Sequence, residues 1–136
     1  MSALVHETIV DLLGRGIAVR FQVHGDSMYP VIHSGDFVLV EPVDPARVRR
    51  GDVVLSLTDR GLTAHRVIAI HGATFTTRGD NCAALDAPFT AAQLLGRVRS
   101  AEHEGRTRAV AGMRSTKARA LAFLRRFGVR RPQSPL

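Results

Sequence analysis

This 136-residue chain has no tryptophan, a single tyrosine, a single cysteine and a single lysine. One cysteine, Cys82, excludes an internal disulfide and any zinc site built on several thiolates. The lone lysine, Lys117, sits close to the C-terminus. No lysine is therefore present in the first 116 residues to act as a base there. No apolar run approaches the roughly 20 residues that cross a bilayer. The opening "MSALVHETIVDLLGRG" has neither a basic leader nor a long apolar stretch, so the expected compartment is the cytoplasm. Acidic residues are missing from one end only. All 12 Asp and Glu precede residue 105, where they face ten Arg, whereas residues 105–136 hold nine Lys and Arg and no acid. The formal charge of +7 is thus carried by the tail. That pattern describes a near-neutral domain over 1–104 and a basic interaction segment over 105–136, not a domain that binds a specific nucleic acid.

What is present is a succession of short β patterns. Residues 3–14, "ALVHETIVDLLG", space their apolar positions as a short amphipathic helix stopped by Gly14 and Gly16. From Ala18 the period falls to two. "VRFQV", "FVLVEPV", "DVVLSL", "TAHRVIAI", "ATFTTR" and "LLGRVRS" are rich in Val, Ile, Phe and Thr and predict strands. Gly, Asp and Asn punctuate the gaps, so the expected fold is an antiparallel β-domain of six or seven strands. "SGDFVLV" and "RGDVVLS" echo one another as the same turn chemistry used twice. The segment 114–131 predicts a basic amphipathic C-terminal helix with seven Lys and Arg. Three roles are open to it: lying on an anionic membrane surface, which is the favoured one, binding an acidic partner or nucleic acid, or packing on the domain. "AVA" at 109–111 is a small-x-small sequence, which also raises self-cleavage.

One serine is unusually placed. "VHGDSMYP" sets Ser27 in a bend between two strands, after Gly25 and before Pro30. A serine becomes a nucleophile only with a base in reach and donors for the oxyanion. With lysine absent from the β region, the base must come from six histidines: His6, His24, His33, His65, His71 and His103. His65 lies in the middle of the strong strand "LTAHRVIAI", where an unpaired imidazole would cost on the order of 1–3 kcal/mol. A hairpin turning at His71–Gly72 would bring Asp80 or Asp86 back toward His65, and periodicity does not choose between them. Asp36 and Asp52 follow Gly at strand starts and are read as turn residues. Arg66 faces away from His65 across its strand. His24 and His33 lack a third ligand at metal spacing, so no metal or cofactor is expected.

Five blocks in order, "GDSMYPVIHSGDFVLV", "VRRGDVVLSL", "AHRVIAI", "TRGDNCAALD" and "LLGRVRS", span about residues 19–100. Together they resemble the signal peptidase I and LexA-like serine peptidase superfamily. Within it, "HRV" followed by "GDN" and a later Asp is similar to the serine–histidine branch of archaeal and endoplasmic-reticulum signal peptidases. In size the chain is similar to small soluble members such as the protease that matures nickel superoxide dismutase. The resemblance implies a coiled antiparallel β fold with Ser27 as nucleophile, His65 as general base and Asp80 or Asp86 as orienting acid. It also implies a protein or peptide substrate, a precursor or leader bound as an added strand, with small residues flanking the cut. Met28 and Tyr29 would then line the substrate cleft, although core packing suits Met28 equally. Relatives often carry a hydroxyl two residues before the nucleophile; here Gly25 and Asp26 stand there, leaving the oxyanion to backbone N–H groups, Ser27 first. The alternative function is a peptide-binding or assembly module on the same fold without turnover.

Overall fold

The computed structural model describes residues 2–110. The predicted helix over 114–131 lies outside the described residues. Helix α1, Ala3–Gly14, begins where the Ser2 hydroxyl accepts the Val5 N–H at 3.2 Å. It buries Ile9 and Leu13, four residues apart on one face. Among the described residues there are eight strands: β1 (Val19–Gln22), β2 (Phe37–Glu41), β3 (Val53–Thr58), β4 (Gly61–His71), β5 (Thr74–Arg78), β6 (Phe89–Thr90), β7 (Leu94–His103) and β8 (Arg106–Ala109). They form one sheet in the order β1-β2-β7-β3-β4-β5-β6, with β8 on β7, and every pairing is antiparallel. The mainly β class is as expected from the period-two patterning.

Two strands exceed the six that patterning picks out. β6 is two residues long, too short to leave a period. β8 is "RTRA", with all four residues exposed, so its sequence carries charge but no alternation. It is nonetheless anchored. Val110, directly after it, is fully buried in the main core, and its N–H donates to the Arg99 carbonyl at 2.8 Å. Arg108 donates to the Val31 carbonyl, which ties β8 to the segment following Ser27. The sheet thus continues through residues 106–109, which composition groups with the tail, and Ala111, the last residue of the small-x-small sequence, lies outside the described residues.

The sheet is coiled enough to hold a core on each face. Val38, Val40, Val53, Leu55 and Val98 pack with Ile9 and Leu13 of the helix and with Ile32 of the loop between β1 and β2. Val54, Val67, Phe75 and Phe89 form the second cluster. Val53, Val54 and Leu55 alternate between the two, which is why β3 reads as an unbroken apolar run. Register shifts at Leu39/Val40, Leu55/Ser56 and Val67/Ala69 supply the bending.

The echoed Gly-Asp turns are the same structure. In one, the Asp36 carboxylate accepts the His33 N–H at 2.9 Å and Asp36 N–H returns to the His33 carbonyl at 3.0 Å. In the other, Asp52 does the same with Arg49, at 2.9 and 3.0 Å. Gly35 and Gly51 precede them at φ 91° and 96°, a conformation that favours glycine. Both aspartates are therefore structural.

Candidate active site

Ser27 lies in the loop between β1 and β2, and 6% of its surface is exposed. Hydrogen bonds from the segment following β5 hold the loop. Asn81 N–H donates to the Ser27 carbonyl at 2.8 Å, the Asn81 side-chain amide donates to the Asp26 carbonyl at 3.0 Å, and Asp80 N–H donates to the Met28 sulfur at 3.4 Å. Asn81 is itself buried. The loop also turns on itself through Tyr29 N–H to the Asp26 carbonyl. With these carbonyls engaged, the N–H groups of Ser27 and Met28 have no acceptor among the described residues, whereas Gly25 N–H is taken by the Ser34 hydroxyl.

His65, buried on β4, meets Ser27 across the fold. Its Nε2 is 3.0 Å from Ser27 Oγ, and its Nδ1 is 2.6 Å from Asp86 Oδ2. Asp86 is fixed in turn: Oδ2 accepts the Thr77 hydroxyl at 2.8 Å, and Asp86 N–H donates to the Thr77 carbonyl at 2.9 Å. Because the carboxylate only accepts, Nδ1 carries the proton and Nε2 is left to accept from Ser27. Serine, histidine and aspartate thus form a continuous hydrogen-bonded chain. Gly79 makes the close approach possible. A Cβ there would stand 2.6 Å from the Ser27 carbonyl oxygen, 2.7 Å from Cys82 Sγ and 3.1 Å from His65 Nε2.

Asp80, the other acid that the sequence left open, is placed elsewhere. It forms a two-pronged ion pair with Arg66, Nε to Oδ1 at 2.8 Å and Nη2 to Oδ2 at 2.7 Å. Arg66 also donates to the Gly51 carbonyl at 2.8 Å. Arg66 follows His65 on β4 and so points to the opposite face, carrying Asp80 with it. Asp80 therefore braces the turn after β5 and does not reach the imidazole. Thr77, Gly79 and Asn81 complete the site but were not singled out by sequence. Thr77 carries one signal, since it lies two residues after Phe75 and so on the same buried face of β5.

Two hollows flank Ser27. One, of about 250 Å³, is mostly apolar and is lined by Gly25, Ser27 and Met28 among others. The other, of about 780 Å³, is more polar and is lined by Ser27, His65, Asp86, Asp59 and Arg60 among others. Asp26 and Tyr29 line neither hollow. The Tyr29 ring packs toward His33, centroids 5.1 Å apart, whereas Gly25 and Met28 line the apolar hollow. Met28 is buried in the main core and also walls the apolar hollow. Among the described residues no group of three His, Cys, Asp or Glu is arranged to hold a metal ion, and no helix is long and apolar enough to cross a membrane.

A coiled antiparallel sheet that holds a buried serine against a histidine–aspartate pair defines a class of serine peptidase folds. The chain matches the Peptidase S24-like family over residues 11–99, and it belongs to that family. The matched span includes Ser27, His65, Asp86 and every strand from β1 to β6. No curated protein matches it closely enough to be named as a relative.

Proposed function

We propose that the chain is a serine endopeptidase that cuts an extended segment of a protein or peptide precursor. The observation that carries this reading is the unbroken chain Ser27 Oγ, His65 Nε2, His65 Nδ1, Asp86 Oδ2, at 3.0 and 2.6 Å. Ser27 Oγ attacks the scissile carbonyl as its proton passes to His65 Nε2. Asp86 orients the ring and stabilises the imidazolium that forms. The carbonyl oxygen, now an oxyanion, takes the free N–H groups of Ser27 and Met28 in place of a side-chain donor at position 25. His65 then returns the proton to the leaving amine, and the C–N bond breaks to give an acyl-Ser27. Water, deprotonated by His65, hydrolyses that ester and restores the serine.

The test is intact-mass spectrometry after exposure to a fluorophosphonate. One phosphonyl group should add at Ser27, with loss of fluoride, and labelling should vanish in Ser27→Ala and fall at least about a hundredfold in His65→Ala. Labelling that is absent in the wild type, or unchanged in His65→Ala, favours the non-catalytic peptide-binding module.

A further inference from the structure

We infer that the β7–β8 hairpin holds the Ser27 loop from its far end, and that Arg108, with His103 beside it, is a positioning residue for the backbone groups that receive the oxyanion. The inference rests on the peptidase reading above and deepens it.

Register fixes which way these side chains point. Across the hairpin Arg108 pairs with Ala101, and Arg106 with His103. Partners in register share a face of the sheet, as do residues two apart on one strand. Ala101 is buried in the main core. His103 and Arg108 therefore point to the face that the Ser27 loop covers. All four residues of β8 are exposed, so apolar packing does not account for the placement of Arg108.

Both side chains meet the second half of that loop. Arg108 donates to the Val31 carbonyl, and its Nη2 lies 3.8 Å from Asp36 Oδ2. His103 Nδ1 is 2.6 Å from Asp36 Oδ1. The His103 ring lies against His33, centroids 4.5 Å apart, and its Nε2 is 3.7 Å from Glu104. Asp36 closes the base of the loop, since its carbonyl accepts the Val23 N–H at 2.9 Å. From Val31 a single turn leads back to the oxyanion site. The N–H groups of Val31 and Ile32 both donate to the Met28 carbonyl, at 2.9 and 3.0 Å. Arg108 thus fixes Val31, Val31 fixes Met28, and the Met28 N–H faces the developing charge. With Gly25 offering no side-chain donor, the oxyanion depends on where these backbone groups stand.

The turn ending at Asp52 supplies a comparison within the same molecule. It repeats the hydrogen bonds of the Asp36 turn, and its buried carboxylate also has a cation beside it, Arg97 Nη1 at 3.6 Å. That turn lies between β2 and β3, outside the Ser27 loop. Removing either arginine takes a cation from a buried carboxylate, but only Arg108 leads to Met28.

The experiment follows fluorophosphonate labelling of Ser27 over a range of probe concentrations, which separates the limiting rate from the half-saturating concentration. A misplacement near 1 Å costs about a hundredfold, so Arg108→Met should lower the limiting rate by at least about tenfold and leave the half-saturating concentration within about twofold. Arg108→Lys, which keeps a cation and a donor, should recover most of that rate. Arg97→Met should lower Tm comparably and leave the limiting rate unchanged. Should Arg108→Met not fold, His103→Leu and His103→Asn make the same test, since leucine loses the bond to Asp36 and the asparagine amide keeps a donor there. A wild-type limiting rate in Arg108→Met, an effect confined to the half-saturating concentration, or an equal loss of rate in Arg97→Met overturns the inference and leaves the peptidase reading standing. No labelling of the wild-type protein overturns both.

Discussion

A single methyl group at Gly79 offers a sharp probe of how the site is built. Ordinary contact begins at 3.4 Å, and the new Cβ of Gly79→Ala would lie 2.6 Å from the Ser27 carbonyl oxygen. Something must move by roughly 0.8 Å, on the scale at which close-packed interiors respond to one methylene. The first atom met is backbone, not the end of a flexible chain, and that same carbonyl accepts the Asn81 N–H at 2.8 Å. Moving it loosens the clamp that aims Ser27. The same Cβ also crowds His65 Nε2 at 3.1 Å and thus enters the proton-transfer gap directly. Overpacking of this kind costs about 1–3 kcal/mol, and a misplacement near 1 Å at a reacting group costs about a hundredfold in rate. The assay is paired: a thermal melt, and the second-order rate of fluorophosphonate labelling at Ser27. Gly79→Ala should lower Tm by several degrees and the labelling rate by about a hundredfold. Gly14→Ala is the control, since nothing lies within 4 Å of its added Cβ; it should leave labelling unchanged and Tm equal or higher. A wild-type labelling rate in Gly79→Ala would refute the claim that the turn after β5 sets the Ser27–His65 distance.

Asp86→Asn should keep the fold and lower the hydrolysis rate by about a thousandfold or more, because the amide no longer enforces the tautomer that leaves Nε2 free; steady-state kinetics on any cleaved peptide measures it. Asp80→Asn should do the reverse and destabilise by about 3 kcal/mol by stranding buried Arg66. Part of that loss should return in Asp80→Leu combined with Arg66→Met, read by urea unfolding. Ending the chain after residue 104 removes β8 and fully buried Val110, a loss of at least about 2 kcal/mol and a fall in Tm of about 10 °C by calorimetry.

The parts of the fold that were legible are those that leave a period. The strand carrying His65 runs for 11 residues with the apolar run Val67–Ile70 in it, and the hairpin it makes with β5 turns at Gly72, where the sequence places a glycine. The two Gly-Asp turns could be matched because their hydrogen bonds span only three residues. β8 was hidden because an edge strand made of Arg and Thr has no buried face to alternate. The choice between Asp80 and Asp86 was hidden for a different reason. Both lie past β5 at plausible reach, and the choice depends on which face of β4 each carboxylate meets, which Arg66 decides by taking Asp80. Asn81 and Thr77 act on residues 54 and 9 positions away, through the Ser27 carbonyl and the Asp86 carboxylate. Contacts of that kind exist only once the loop and the sheet have met.

The central claim is that Ser27 cuts peptide bonds with His65 as its base. The most direct measurement is digestion of a defined peptide library, with new N-termini counted by mass spectrometry, for the wild type, Ser27→Ala and His65→Ala side by side. The account predicts new termini from the wild type alone. Cleavage that persists in Ser27→Ala and His65→Ala, or a wild type that produces no termini at all, would contradict it.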